Sequence, residues 1–368
     1  MSGWDDSGMT EVMHRQPSTI APDPTRRRRF RLVAGVAVAA LLVVEAVLVT
    51  PALDRALTSL ANIDVAWFAV AVLAVALSMG MFALVRRRLL LAAGVRVSVP
   101  GSVAAALVAN SLHATLPGGP AFSTAYTFRW MRGEGAGSAV ATWCLVAGGL
   151  VSTASLGLIG LAASLSVGGT PSWSQTVLGI AGLVVVATVA RELVRHPHLL
   201  VTAARWTLRR VNRLRRRPAD AGVTALDDLV VQLGTVRPRG RDWSAATGLA
   251  LLNWAFDAAC LAACAAALGV HGLTLPLLLV AYTAGMATSG FSPLPGGLGV
   301  VDAALVLTLV AGGIPAAQAL PAVVMYRLIS LFGVVAAGWL VCAARQFHPQ
   351  RVRQALKDRT GIAPVPSP

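Results

Sequence analysis

A chain of 368 residues that is 56% hydrophobic and only 13% charged, with a mean hydropathy of +0.69, carries about half the charge of an ordinary globular protein. This composition excludes a secreted disulfide scaffold, a soluble α/β enzyme and a disordered tail protein, because apolar runs near twenty residues recur and each can cross a hydrocarbon core of roughly 30 Å. The net charge of +15 does not point to nucleic acid: all 31 basic residues except Lys357 are Arg, which is a compositional bias, and their placement follows a membrane topology.

Residues 1–30 are polar, contain Pro17, Pro22 and Pro24, and close on Arg26-Arg27-Arg28-Arg29, the make-up of a disordered tail. An apolar run at 32–50 follows. The polar segment before it is too long for a cleaved signal peptide, so the run is read as a retained first span. Further full spans are predicted at 65–85, 138–166, 175–194, 244–269 and 316–342. Two other apolar stretches are interrupted: 98–131 by Leu116-Pro117-Gly118-Gly119, and 276–313 by Leu294-Pro295-Gly296-Gly297. A helix cannot pass through Pro-Gly-Gly without losing backbone hydrogen bonds, so each is read as two short helices around a break. The four cysteines, Cys144, Cys260, Cys264 and Cys342, all fall in apolar segments, and although Cys260 and Cys264 share a helix face, two thiols are a poor metal site. They are read as small buried filler, with no metal and no cofactor.

If each broken stretch returns to the face it left, 29 basic residues fall on one side, Arg55 alone falls on the other, and Arg327 lies mid-span. The positive-inside rule then places both termini in the cytoplasm, with six crossings and two hairpins. If every hairpin limb crosses, the count becomes ten and the sidedness is unchanged. The domains expected are a cytoplasmic tail at 1–30, a transmembrane domain at 31–345 and a cytoplasmic tail at 346–368.

The broken stretches are copies of each other. Gly94-Val95, Ser98-Val99-Pro100 and the break at Pro117 match Gly269-Val270, Thr274-Leu275-Pro276 and the break at Pro295; Ser111 matches Ser289, Ala125 matches Ala303 and Gly135 matches Gly313. Each unit is a span, a broken or re-entrant hairpin and a span, with repeat one at 65–166, a basic cytoplasmic loop at 195–242 and repeat two at 243–342. Their first spans run in opposite directions. The fold predicted is therefore an all-α polytopic membrane protein with two inverted repeats, an architecture in which transporters build midplane sites.

At these residues the chain resembles the lysylphosphatidylglycerol synthase transmembrane-domain, or flippase-like, family. The resemblance rests on Pro295-Gly296-Gly297-Leu298-Gly299-Val300-Val301-Asp302, on Gly313-Ile314-Pro315 and on Tyr326-Arg327. Asn110, Leu116-Pro117-Gly118-Gly119-Pro120 and Tyr126-Thr127-Phe128-Arg129 are similar to the family's actinobacterial members. It covers roughly residues 30–345. Many members carry Glu where Asp302 stands, and many have a basic residue and Gly-Glu where this chain has Gly119-Pro120-Ala121. The chain ends about 25 residues after its last span, so the soluble aminoacyl-transfer domain of the fused relatives is not expected. The resemblance implies the translocase half: movement of a phospholipid or lipid-linked polar group between leaflets.

Ionisable groups at membrane depth are costly and face a cavity or a partner. Asp302 and Arg327 lie in one repeat and match the family pattern; they are read as a headgroup-binding and gating pair, with a structural ion pair as the alternative. Asp257, beside Asn253 and Trp254, is a third candidate, as cavity member, proton site or satisfied interhelical group. Glu45 is read as structural or interfacial. Asn110 and Ser111 precede the first break as Thr288 and Ser289 precede the second, either to hold a headgroup with free backbone groups or to cap helix ends. In the loop, Ala204, Leu208, Val211 and Leu214 share a face, with Arg209, Arg210, Arg213 and Arg216 around the rest. That pattern suits a helix on an anionic leaflet, or a charge run that sets topology alone.

Three functions compete. The first is a lipid translocase of the bacterial cytoplasmic membrane, not an enzyme, whose partners are anionic or lipid-linked membrane lipids. It works without nucleotide, since Lys357 is followed by Asp358 and no Walker A sequence exists. The second is a membrane enzyme on lipid-linked groups, against which stands the absence of Asp-x-Asp, His-Glu-x-x-His and Gly-x-Ser-x-Gly. The third is a non-transporting partner in an envelope-synthesis complex. Neither nucleic acid nor a particular oligomer is implied.

Overall fold

The computed structural model describes residues 64–116, 118–166, 238–289 and 295–347, and singly 188, 209 and 213. All of these residues belong to one compact unit. The expected spans at 32–50 and 175–194, Glu45, Pro117, both tails and nearly all of the basic loop lie outside the described residues.

Among the described residues every element is helical. In chain order they are α1 (Val65–Ala92), α2 (Val99–Thr115), α3 (Gly119–Gly133), α4 (Ser138–Ser166), α5 (Gly240–Ala267), α6 (Leu275–Ser289), a 3₁₀ turn (Pro295–Gly297), α7 (Val300–Ala311), α8 (Ala316–Arg327), a π-helical segment (Leu328–Gly333) and α9 (Val334–Phe347). Four helices are long and apolar enough to cross a membrane: Val65–Ala92, Ser138–Ser166, Gly240–Ala267 and the continuous Ala316–Ala344. The chain is thus a multi-pass membrane protein. These helices are apolar all round. Trp67, Phe68, Val70 and Leu73 of α1 remain 40–58% exposed, an arrangement that only lipid accommodates at this scale.

α1 outruns the predicted 65–85 by two turns and carries Arg86, Arg87 and Arg88 inside the helix. The arginines do not end it because neighbouring elements receive them. Arg87 Nε donates to the carbonyl of Val97 at 3.0 Å, and Arg88 Nη2 to Asp242 Oδ1 of α5 at 2.7 Å. Asp242 also accepts from the Arg239 amide at 2.9 Å, capping α5. Asp242→Ala removes a cap and an ion pair together and is expected to lower stability by about 1–2 kcal/mol. Thermal unfolding in detergent checks this; an unchanged midpoint would contradict it.

α1 and α5 pack along their whole length in opposite directions. The Asp64 amide donates to the Ala267 carbonyl at 3.2 Å at one end, Ser78 Oγ donates to Asn253 Oδ1 at 3.1 Å in the middle, and Arg88 meets Asp242 at the other end. Small residues, among them Ala71, Ala74, Ala258, Ala263 and Ala267, allow this approach. α2 crosses to α9: Ser111 Oγ donates to the Val335 carbonyl at 3.0 Å, and Gly338 lies so close that a Cβ there would sit 2.4 Å from the Leu107 carbonyl oxygen. α2 thus rests against α9, and α6 against α4.

Candidate functional site

The site begins at the second break. Gly296 and Gly297 adopt φ of +68° and +73°, and Gly299 +76°, in the left-handed region that side chains with a Cβ avoid. These glycines lead directly into α7, whose first turn starts with amide groups that have no partner within the helix. Asp302, in α7's first turn, answers one of them by accepting from the Gly299 amide at 2.9 Å through Oδ2. A carboxylate here also meets the positive end of the helix dipole.

Its other oxygen, Oδ1, accepts from Arg327 Nε. Arg327 is the last residue of α8, and its side chain is 12% exposed against 32% for Asp302. Nη2 of Arg327 reaches the carbonyls of Gly297 at 3.3 Å and Gly296 at 3.4 Å. One guanidinium therefore holds the carboxylate and the bend of the break together. The π-helical segment starts on the next residue, so the helix geometry changes directly behind Arg327.

Tyr326, one residue earlier, faces another carboxylate. Its hydroxyl donates to Asp257 Oδ2 at 3.1 Å, and that of Tyr282 on α6 donates to the same oxygen at 2.6 Å. Both tyrosines are buried. Asp257 thereby ties α5, α6 and α8. Trp254, one turn before it, lies edge-on to Tyr282 with ring centroids 6.2 Å apart and donates from Nε1 to the Ser152 carbonyl of α4 at 2.9 Å.

The first break approaches the second. Gly118 takes φ +71° ahead of α3, and a Cβ on Gly296 would lie 3.8 Å from Cβ of Ala114, at the end of α2. The remaining candidates are placed elsewhere. Asn110 donates to the Ala106 carbonyl at 3.0 Å, and Ser111 to Leu107 as well as Val335. Thr288 and Ser289 donate to Gly285 and Met286, each at 2.7 Å. None of the four hydrogen-bonds to the Asp302–Arg327 pair. Of the basic-loop arginines, Arg209 and Arg213 are described and exposed, while Arg210 and Arg216 lie outside the described residues.

Sequence reasoning missed Tyr282 and the indole bridge to Ser152. The chain has only three tyrosines, so a lone phenol in an otherwise apolar α6 was the available signal. The arrangement presents a planar cation at a broken helix beside a second, internally bonded carboxylate, which is chemistry for holding an anionic group. Comparison with known families matches the lysylphosphatidylglycerol synthase TM region over residues 32–338. No curated protein matches the chain.

Proposed function

Because the chain belongs to the family of the lysylphosphatidylglycerol synthase TM region, we propose that it is a lipid translocase, moving a phospholipid or lipid-linked polar group between leaflets without nucleotide hydrolysis. The observation that carries this reading is the Asp302–Arg327 pair seated on a helix break in a membrane-spanning unit. A lipid phosphate offers Arg327 the same acceptor geometry as a carboxylate. It therefore competes with Asp302, which keeps its bond to the Gly299 amide when the guanidinium turns away. No bond of the lipid is made or broken, so the protein acts as a carrier and not an enzyme.

The reading includes two units related by inversion. α1 and α5 are both 28 residues long and correspond at a spacing of 175 residues (65 to 240, 92 to 267). Ser78 and Asn253 stand at that same spacing and bond to each other at the centre of the antiparallel pair. Beyond the breaks the spacing is 178: Pro117 to Pro295, Gly133 to Ala311 at the helix ends, Ser138 to Ala316 at the next starts. The packing of α2 on α9 and of α6 on α4 supports the same relation. In this reading the protein lies in the bacterial cytoplasmic membrane with both termini inside, and its partners are anionic or lipid-linked lipids.

The test is a dithionite-quenching assay in liposomes containing fluorescent phosphatidylglycerol, an aminoacylated phospholipid or a polyprenyl phosphate. The wild type should expose inner-leaflet probe of at least one lipid, and Arg327→Ala at matched incorporation should slow this by about tenfold or more, the worth of one charge-assisted bond. Equal rates in the two proteins would remove Arg327 from the path. No flipping of any lipid would favour a non-transporting partner in envelope synthesis.

A further inference from the structure

Three consecutive arginines stand in α1, and among the described residues two of them find hydrogen-bond acceptors. Arg87 and Arg88 are bonded as described. Arg86 stacks on the Phe82 ring with its guanidinium carbon 4.3 Å from the centroid, and its Nη1 is buried with no hydrogen-bond partner among the described residues. An unpaired cation with a desolvated donor is costly unless something negative joins it.

Arg86 lines a cavity of about 460 Å³ bounded by α1, α3, α4 and α5, within the roughly 300–1,000 Å³ range of small-molecule sites. Phe82, Thr124, Gly148 and Gly149 line it with Arg86, Asn253 forms part of its wall, and among the described residues no carboxylate does so. Of its lining residues, Thr124, Gly149 and Thr153 are exposed.

The position of this cavity in the repeat gives it meaning. At the spacing of 175 residues Phe82 corresponds to Asp257; at 178, Thr124 corresponds to Asp302, Gly148 to Tyr326 and Gly149 to Arg327. Four of the five residues that build the polar network of the second unit thus have their counterparts lining the cavity of the first; the fifth, Tyr282, falls at Ala104, outside it. Where one unit is filled by an arginine, a tyrosine and two carboxylates, the other has two glycines, a threonine and a phenylalanine. The space left by those exchanges lies beside Arg86.

We propose that this cavity binds a phosphate group, with Arg86 as its cation, in the place that corresponds to the Asp302 carboxylate of the second unit. The inference rests on the repeat relation proposed above. The phosphate is that of a lipid headgroup whose chains stay outside the cavity, or a free ion. The Asp302–Arg327 network is then the self-occupied form of the site, and the Arg86 cavity is the form open to ligand.

The test measures binding to the purified full-length protein in detergent by isothermal titration, using dihexanoyl phosphatidic acid, inorganic phosphate and dihexanoylglycerol. Phosphatidic acid should bind the wild type, and Arg86→Gln should weaken it by about tenfold or more. The double variant Thr124→Asp with Gly149→Arg rebuilds the second unit's pair inside the cavity, at a glycine whose Cβ would meet no atom within 4 Å. It should abolish binding while leaving Arg86 and the elution profile intact.

Arg86-dependent binding of phosphatidic acid alone identifies a lipid headgroup; equal binding of inorganic phosphate identifies a free anion. Binding unchanged in both variants, or dihexanoylglycerol binding as tightly as phosphatidic acid, overturns the site. Flipping measured on the same proteins separates the two readings. Arg86-dependent binding without flipping of any lipid defeats translocation and leaves the site, whereas flipping with phosphate binding indifferent to both variants defeats the site and leaves translocation.

Discussion

Gly119→Ala is expected to destabilise the protein by about 3 kcal/mol or more, at the upper end of overpacking effects. The methyl group would lie 1.9 Å from the His113 carbonyl oxygen, 2.6 Å from its carbon and 2.9 Å from the His113 Cα. All three are backbone atoms of α2, so no side-chain rotation relieves the clash. The hairpin limbs would have to separate by more than about 1 Å, and in a close-packed interior that disturbs every contact of α2. Because α2 also carries the junction to α9 through Ser111 and Gly338, the damage reaches the second unit. Gly80→Ala is the matched control: nothing lies within 4 Å of its Cβ, and inside α1 the exchange should be neutral or stabilising by up to about 1 kcal/mol. Thermal unfolding in detergent reads both. Equal midpoints for the two variants would mean that the first break is loosely packed.

The second large effect is expected at Asp257. Asp257→Ala leaves the hydroxyls of Tyr282 and Tyr326 buried without their acceptor and releases α5 from α6 and α8. Interhelical hydrogen bonds in membranes contribute roughly 0.6–1.7 kcal/mol each, so losing both should lower stability by about 2–3 kcal/mol. Asp257→Asn keeps an acceptor oxygen in the same place and should hold most of that stability. Transport then distinguishes the two uses of the residue. If the aspartate only joins helices, the asparagine variant should flip lipid at the wild-type rate; if its charge takes part, the variant should stay folded and slow. Identical unfolding of the alanine and asparagine variants would remove the two phenol bonds from the account of stability.

Much of the helical layout could be read from sequence, since hydropathy locates apolar helices and Pro-Gly-Gly locates their interruptions. α4 begins and ends where it was predicted, and the breaks fall between α2 and α3 and between α6 and α7. The end of α1 was misplaced because a triplet of arginines ordinarily marks a membrane surface. Here Val97 and Asp242, the second far away in sequence, accept two of them and let the helix continue. The π-helical segment after Arg327 was not legible, because no residue type marks it. Asp302 and Arg327 could be paired in advance, because both lie in one expected repeat and both match the pattern of the family that the chain resembles. The Asp257–Tyr282–Tyr326 junction was not, because it depends on how three helices meet, and pairwise packing of apolar helices leaves little trace in composition. The cavity beside Arg86 was hidden for a related reason: the glycines and threonine that line it attract no notice in a sequence.

The pairing of α1 with α5 also bears on how the protein is made. α1 is complete at residue 92 and its antiparallel partner does not begin until residue 240. At synthesis rates of roughly 5–20 residues per second, α1 spends about 7 to 30 seconds in the bilayer before α5 begins. Throughout that interval Ser78 has no Asn253 to bond and Arg88 no Asp242. The central seam of the protein is therefore assembled after insertion, from helices already in place. A nascent chain halted before residue 240 would carry an unmatched first unit, which makes it a ready substrate for membrane quality control.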